Sequence, residues 1–256
     1  MKLIIVLPAF NEALSLPPLL ARIDHAFTQF QWKGEVIVVN DGSTDTTLKV
    51  ASNFNALVPI RVIDLQPNGG LAGAIRAGLN AAISVANDPL DIVVTLDADD
   101  SQNPFLIERM LHQIYEGSDL VIASRYQQGA RIHGLTASRK LFSWAAGMLF
   151  RVFVGFPGVR DYTCGFRAYK ASFLKRVMDF YGETFITQQG FGCMVEILLK
   201  IGVAGAIMHE APMILRYDLK QGASKMNVKK TIRQTLVLLY QYRMGKLIRN
   251  EKTSLA

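Results

Sequence analysis

The chain has 256 residues, half of them hydrophobic and 19% charged, enough for one sizeable core and short for two independent ones. Its two cysteines, Cys164 and Cys193, have neither metal-ligand spacing nor the density of a disulfide scaffold, as expected in a reducing cytosol. The net charge is +7, and 219–256 carries nine Lys or Arg against the single acid Glu251, so the tail is a candidate for contact with phosphates of lipid, substrate or nucleic acid. In chain order, Met1 to Val6 reads as buried strand rather than a secretory signal. Leu3 to Leu7, Glu35 to Asn40, Ile60 to Leu65, Asp91 to Leu96 and Leu120 to Ser124 are predicted strands. They alternate with helical patterns. After Ser15, the pair Pro17-Pro18 starts a helix whose Leu19, Ile23, Phe27 and Phe30 recur on one face, and further helices are predicted over Thr46 to Phe54, Gly70 to Ala86 and Pro104 to Tyr115. Alternation of this kind predicts an α/β fold, a mostly parallel sheet flanked by helices, with ligands gathered at the strand C-termini.

The second half is less regular. Ser138 to Val154 reads as a helix rich in Leu, Phe, Trp and Met, Phe166 to Tyr169 as a short strand, Gly190 to Ile201 as a buried helix and Ile214 to Asp218 as an extended segment. A basic amphipathic helix from about Val228 to Gly245 follows, with Ile232, Leu236, Leu239 and Leu247 near helical spacing and Lys229, Lys230, Arg233 and Arg243 available to anionic headgroups. The division this suggests is a catalytic domain over 1–218 and a basic loop and helix over 219–256. The most apolar stretch, Leu141 to Pro157, is interrupted by Arg151, and no run reaches the roughly 18 to 20 uncharged residues of a spanning helix. The bland alternative for the tail is packing on the catalytic domain with its lysines in water.

Chemistry concentrates at strand ends. Asp97, Ala98 and Asp99 follow the strand ending at Leu96, and two carboxylates two residues apart in extended chain point the same way. Aimed at one point they repel unless a cation lies between them, and oxygen-only ligation suits Mg²⁺ or Mn²⁺. Asp100 extends the acidic run, so a solvated acidic turn is the rival reading. Pro8 to Glu12 follow the first strand and Asp41 to Asp45 the second, and these loops should converge on one crevice. Asp41 can accept hydrogen bonds from a base or ribose, Phe10 can offer an apolar surface, and Asp41 to Asp45 can equally cap a helix. Neither a Gly-x-Gly-x-x-Gly after the first strand nor a P-loop is present. Gly69, Gly70 and Gly73 open a helix with Arg76 a turn later, which serves a ligand or a tight turn equally well.

In this order the motifs resemble the family 2 glycosyltransferases of GT-A fold, within them the dolichol-phosphate mannose synthase and polyprenyl-phosphate glycosyltransferase group. The resemblance rests on Pro8-Ala9-Phe10-Asn11-Glu12, Asp41-Gly42-Ser43-x-Asp45, Asn68-x-Gly70, Asp97-Ala98-Asp99, Ser124-Arg125-Tyr126, Arg139 with Ser143, Asp161-x-x-x-Gly165-Phe166, and Arg216 with Gly222-x-Ser224-Lys225. It implies a Rossmann-like GT-A domain in which Pro8, Phe10, Glu12 and Asp41 line the nucleotide pocket, and Asp97, Ala98 and Asp99 hold the metal and donor diphosphate. It further implies that Arg125, Arg139, Ser143 and Arg216 lie near the acceptor phosphate, with Lys225 in a loop closing over the substrates; Asp99, Arg125 and Arg139 are the expected catalytic set. The family usually places a Gln two residues after the second Asp, where this chain has Ser101 with Gln102 beside it.

The expected reaction is transfer of a sugar, with inversion, from a nucleotide diphosphate sugar to a polyprenyl phosphate, by a metal-dependent enzyme peripherally bound to an anionic membrane surface in the cytoplasm, with a membrane protein as a possible partner. A lipid phosphate is ionised at neutral pH and needs no general base. A same-fold transferase acting on a glycan or other hydroxyl would need one, for which Asp161 is the candidate. A nonenzymatic nucleic-acid-binding module is disfavoured, because Tyr240 and Tyr242 of the tail form no recognisable RNA motif. His209, beside Glu210, is left outside the metal set as a packed or surface residue.

Overall fold

The computed structural model describes residues 1–134, 147–219 and 228–247, with the side chains of 228–234 excepted. Nine strands and eight α-helices are recognised within them: β1 (Leu3–Ala9), α1 (Leu16–Phe30), β2 (Gly34–Asp41), α2 (Thr47–Asn53), β3 (Ile60–Leu65), α3 (Gly70–Val85), β4 (Ile92–Thr95), α4 (Leu106–Tyr115), β5 (Leu120–Ser124) and β6 (Arg131–His133). After helical residues 147–153, here α5, come β7 (Arg167–Lys170), α6 (Ala171–Tyr181), α7 (Gly192–Val203), β8 (Met208–Pro212), β9 (Ile214–Arg216) and α8 (Val228–Arg243).

Seven strands form one sheet in the order β3-β2-β1-β4-β7-β5-β8. All neighbours pair in parallel except β7, which is antiparallel to both β4 and β5. The central strands are apolar along their length, Leu3 to Leu7 and Val36 to Val39 being fully buried, as a sheet covered on both faces requires. The chain leaves β1 for β2 on one side and reaches β4 on the other, so the strand order reverses between β1 and β4 and opens a crevice at their carboxyl ends. A parallel ribbon of β6 and β9 stands beside that edge, tied to it by Met213 N–H on Ser124 O at 2.9 Å and Arg216 N–H on Ser101 O at 2.9 Å.

Several expectations are corrected in detail. The strand expected from Phe166 to Tyr169 runs one residue later, and α6 and β8 have no counterpart among the predicted elements. The predicted strand Asp91 to Leu96 ends at Thr95, with Ala98 and Asp99 in a turn, so extended-chain spacing does not describe this loop. Ser15 precedes α1 as expected, yet its side chain makes no capping bond.

The tail helix divides its faces: Leu238, Leu239 and Leu247 are buried, whereas Leu236, Val237, Tyr240 and Met244 are exposed. Of the expected apolar stripe, Leu239 and Leu247 therefore turn inward and Leu236 outward, while the side chains of Lys229, Lys230, Ile232 and Arg233 lie outside the described residues.

Candidate active site

The loops after β1 and β2 are laced together by their own polar side chains. Asn11 takes a left-handed φ of 53°, its N–H donates to Ser43 Oγ at 3.0 Å, and its Oδ1 accepts the Thr44 N–H at 2.8 Å. Glu12 N–H donates to Thr47 Oγ1 at 2.8 Å, and Ala13 N–H to Asp45 Oδ2 at 3.3 Å. Asp45 Oδ1 also accepts the Thr47 N–H at 2.9 Å in an Asx-type turn just before α2, whose N-cap Thr46 makes no side-chain capping bond. Asn11, Ser43, Asp45 and Thr47 thus fix the backbone from which Phe10 and Glu12 extend.

Asp41, at the end of β2, is buried; its Oδ1 accepts the Gly69 N–H at 2.7 Å and its main-chain oxygen accepts Asn68 Nδ2 at 2.5 Å. Gly42 follows at φ 63°, and a Cβ there would stand 2.9 Å from Asn68 N, so glycine is required for this close approach. Gly69 and Gly70 therefore serve the turn onto α3. Arg76 on α3 donates to Ile186 O, across the fold from its own loop.

The loop after β4 holds the paired carboxylates. Asp97 is bracketed by Gln102, whose Oε1 accepts the Asp97 N–H at 3.0 Å and whose Nε2 donates to Asp97 Oδ2 at 2.7 Å. Asp99, 7% exposed, accepts Ser101 N–H at 3.1 Å and Ser101 Oγ–H at 2.5 Å on Oδ1. Ser101 and Gln102, at and beside the position where the family resemblance places Gln, orient the two carboxylates from a distance of a few residues. Asp100 points elsewhere. At φ 59° it turns back to Arg22 of α1, whose guanidinium binds its carboxylate and, at 3.0 Å, its carbonyl oxygen. The acidic run is therefore not a uniformly solvated turn. Gly165 comes so close that a Cβ would lie 3.3 Å from Asp97 Oδ1, and its carbonyl accepts Thr95 Oγ1–H at 2.6 Å. A small cavity beside Asp97 is lined by Pro8, Thr163, Gly165, Phe191 and Met194.

A second acidic centre lies at the end of β5. Asp161 is fully buried and accepts Arg125 N–H at 3.1 Å and Nε at 2.7 Å on Oδ2, and Arg125 Nη2 at 2.6 Å on Oδ1. The N–H groups of Thr163 and Cys164 add bonds of 3.2 and 3.1 Å to Oδ1. Burial alone would push the Asp161 carboxyl up; the Arg125 charge and these donors outweigh it and hold it below the usual carboxylate range. Burial would lower Arg125, yet Asp161 keeps it well above its ordinary value. Behind them Glu210 of β8 accepts the N–H groups of Arg160 and Asp161 on Oε1, each at 2.6 Å. Burial raises the Glu210 carboxyl and outweighs the bonds it accepts. Burial likewise pushes the Cys164 thiol up to about 12, so it is an inert packed thiol.

Of the remaining expected acceptor residues, Arg216 is brought to the carboxylate loop through its main chain, while its guanidinium pairs with Asp218 at 2.7 Å in solvent. Arg139, Ser143 and Lys225 lie outside the described residues. His209 Nδ1 is 2.8 Å from Ser118 Oγ, which precedes β5 at the opposite edge of the sheet from Asp97. Among the described residues no group of three or more His, Cys, Asp or Glu is arranged to hold a metal ion. The oxygen donors Asp97 and Asp99, held by Gln102 and Ser101, still form a set whose hardness suits Mg²⁺ or Mn²⁺ completed by waters and a diphosphate. Gln102, Thr163 and Glu210 are not among the residues the sequence singles out for the site; only Gln102, next to the acidic pair, carries a local signal.

Comparison with known proteins agrees with this fold. The sequence profile described as "Glycosyl transferase family 2" matches residues 4–178. An undecaprenyl-phosphate mannosyltransferase of Micrococcus luteus is 32% identical over 228 residues, covering 89% of this chain and 88% of that protein. A dolichol-phosphate mannosyltransferase of Pyrococcus furiosus is 31% identical over 203 residues, covering 78% of this chain and 53% of that protein. Among solved structures, glucosyl-3-phosphoglycerate synthase of Mycobacterium tuberculosis, in complex with Mg²⁺ and UDP, superposes with a TM-score of 0.64 at 18% identity, covering 95% of this chain and 79% of that one. The fold shared is GT-A.

Proposed function

This chain belongs to glycosyl transferase family 2, and from that premise we propose that it moves one sugar from a nucleotide diphosphate sugar to a polyprenyl phosphate, with inversion at the anomeric carbon and with Mg²⁺ or Mn²⁺. The names of its relatives support the acceptor class. The observation in the molecule that carries it is the Arg125–Asp161 pair. A hydroxyl acceptor requires a group to take its proton. Asp161, the candidate for that role, is buried, held ionised and occupied on both oxygens. An acceptor that arrives as a phosphate anion needs no such group; its oxygen attacks the anomeric carbon and the nucleoside diphosphate leaves from the opposite face.

In this reading Pro8, Phe10, Glu12 and Asp41 receive the nucleoside, and Asp97, Ala98 and Asp99 present the diphosphate. Asp97 and Asp99 would hold a divalent cation, which would supply positive charge to the departing diphosphate. Arg125 spends Nε and Nη2 on Asp161 and Thr163, so its Nη1 amino group is the part offered to the acceptor phosphate. Arg139, Ser143, Arg216 and Lys225 complete the acceptor side, offsetting repulsion between the two anions.

Peripheral attachment to an anionic bilayer belongs to the same proposal. Among the described residues no helix is long and apolar enough to cross a membrane. α5 nevertheless exposes Met148, Val152 and Phe153, and α8 exposes Leu236 and Tyr240, with the Arg243 guanidinium 5.6 Å from the Phe153 ring centre. Apolar side chains beside cations suit an interfacial surface.

The test is an assay of GDP-mannose and UDP-glucose with undecaprenyl phosphate in Mg²⁺, in Mn²⁺ and in excess chelator. Metal-dependent formation of a glycosyl phospholipid is expected with one donor; donor consumption that ignores both lipid and chelator contradicts the proposal. Flotation with anionic vesicles at low salt, lost at high salt, is expected for the full chain.

A further inference from the structure

The segment joining α6 to α7 ends on Phe191, which lines the cavity beside Asp97, and a buried ion pair on α7 holds that segment. Glu196 and Lys200, one turn apart, have side chains 1% and 4% exposed and are joined at 2.6 Å. Glu196 also accepts the Thr187 N–H at 2.8 Å, the Thr187 hydroxyl at 2.6 Å and the Gln188 N–H at 2.8 Å. Lys200 donates to the carbonyl oxygens of Thr184 and Phe185, and its ammonium stands 5.2 Å from the Tyr181 ring centre. From the other side Arg76 donates to Ile186 O. Every residue from 184 to 188 is thereby tied down, and the chain then turns at Gly190, φ 58°, to deliver Phe191. Phe191 is 39% exposed, unusual for a ring at the head of an otherwise buried helix, and it lines the cavity with Pro8, Asp97 and Thr163.

Two charges withdrawn from water give little net stability over apolar residues of similar volume. What this pair supplies is a defined path for a segment whose regular structure is limited to the short 3-10 helix Gly182–Phe185. Resting on the donor reading above, we propose that Glu196 and Lys200 are positioning residues for the sugar end of the nucleotide sugar: they fix 184–188 so that Phe191 forms the apolar wall receiving the sugar's C–H face beside Asp97. The site so described takes a hexosyl group, whose polar edge would face Asp97 and Thr163 and whose apolar face would cover the ring.

The test uses the full chain with GDP-mannose and UDP-glucose, each against its sugar-free diphosphate, GDP or UDP. Glu196→Gln alone leaves Lys200 without its counter-charge and can fail to fold, so the pair is replaced together, Glu196→Met with Lys200→Met, and Phe191→Ala is made separately. Both proteins should unfold cooperatively near the wild-type temperature and bind the sugar-free diphosphate within about twofold of wild type, while kcat/KM for the productive donor falls about tenfold or more. A Phe191→Leu variant should recover part of that loss. A folded pair replacement with wild-type kcat/KM, or an equal loss of affinity for diphosphate and nucleotide sugar, overturns the positioning role. If wild type itself turns over neither donor, the donor reading falls and takes this proposal with it, an outcome visible before any variant is compared.

Discussion

Two acidic centres stand at the carboxyl edge of the same sheet and are built in opposite ways. Asp97 and Asp99 are oriented by Gln102 and Ser101, neutral donors two to five residues away in their own loop. Asp161 is locked by the Arg125 guanidinium, 36 residues distant, and by successive main-chain N–H groups. The neutral donors Ser101 and Gln102 orient Asp97 and Asp99 without adding charge, whereas arginine binding Asp161 bidentately balances its charge inside the protein. On the proposed function, the carboxylates of the first centre serve the cation and that of the second serves to place Arg125. Asp100 shows the same contrast within a single loop, because Arg22 claims it and thereby separates it from Asp97 and Asp99.

The largest effect is expected at the first centre. Asp97→Asn or Asp99→Asn should lower transfer by about a thousandfold or more, since several kcal/mol of charge stabilisation is removed. Thermal unfolding should change little, because the amide keeps the volume; normal turnover in either purified variant contradicts the assignment. At the second centre the signature reverses toward stability. Asp161→Ala strands a buried guanidinium and should cost about 3 to 5 kcal/mol in denaturant unfolding. A variant as stable as wild type that has lost only catalysis would mean that Asp161 is chemical after all.

A smaller effect separates Asp161 from the carboxyl group behind it. Asp161 has a folded value below its ordinary 3.8, so the stability it contributes is present above that pH and is lost as pH falls through the lower, folded value. Glu210 is raised above its ordinary 4.5, so its contribution is complete below that pH and is lost as pH rises through the folded value. Glu210→Gln keeps an oxygen for the Arg160 and Asp161 N–H groups and removes the titration. It should flatten the decline of unfolding free energy above pH 4.5, measured by denaturant unfolding across pH. An unchanged slope would show that Glu210 does not titrate in this range.

The same contrast explains what can be read from the sequence. The apolar strands β1, β2 and β4 and the motifs at their ends are local signals, and GT-A architecture follows from their order. Residues 167–170 betray nothing of their antiparallel insertion between β4 and β5, because pairing partners 45 to 78 positions away leave no local periodicity. The Asp-Ala-Asp pair is legible as a pair, although the chain turns at Ala98–Asp99 where the sequence suggests extended backbone. Arg125 is singled out by the family resemblance, while its partner Asp161 reads as a candidate base, since sequence carries no record of burial or of the Glu210 bond to its main chain. Gly190 to Ile201 reads as a buried helix, but the pairing of Glu196 with Lys200 inside it and their hold on 184–188 are visible only in the structure.

The central claim is that the acceptor arrives already ionised and that Asp161 is not a base. It is tested most directly by offering the enzyme, with its productive donor and Mg²⁺, undecaprenyl phosphate and the corresponding undecaprenol under identical conditions. Sugar transfer to the phosphate with none detectable to the alcohol is the predicted result. Comparable transfer to undecaprenol would contradict it, most sharply if that rate rose with pH as a proton-accepting group ionised.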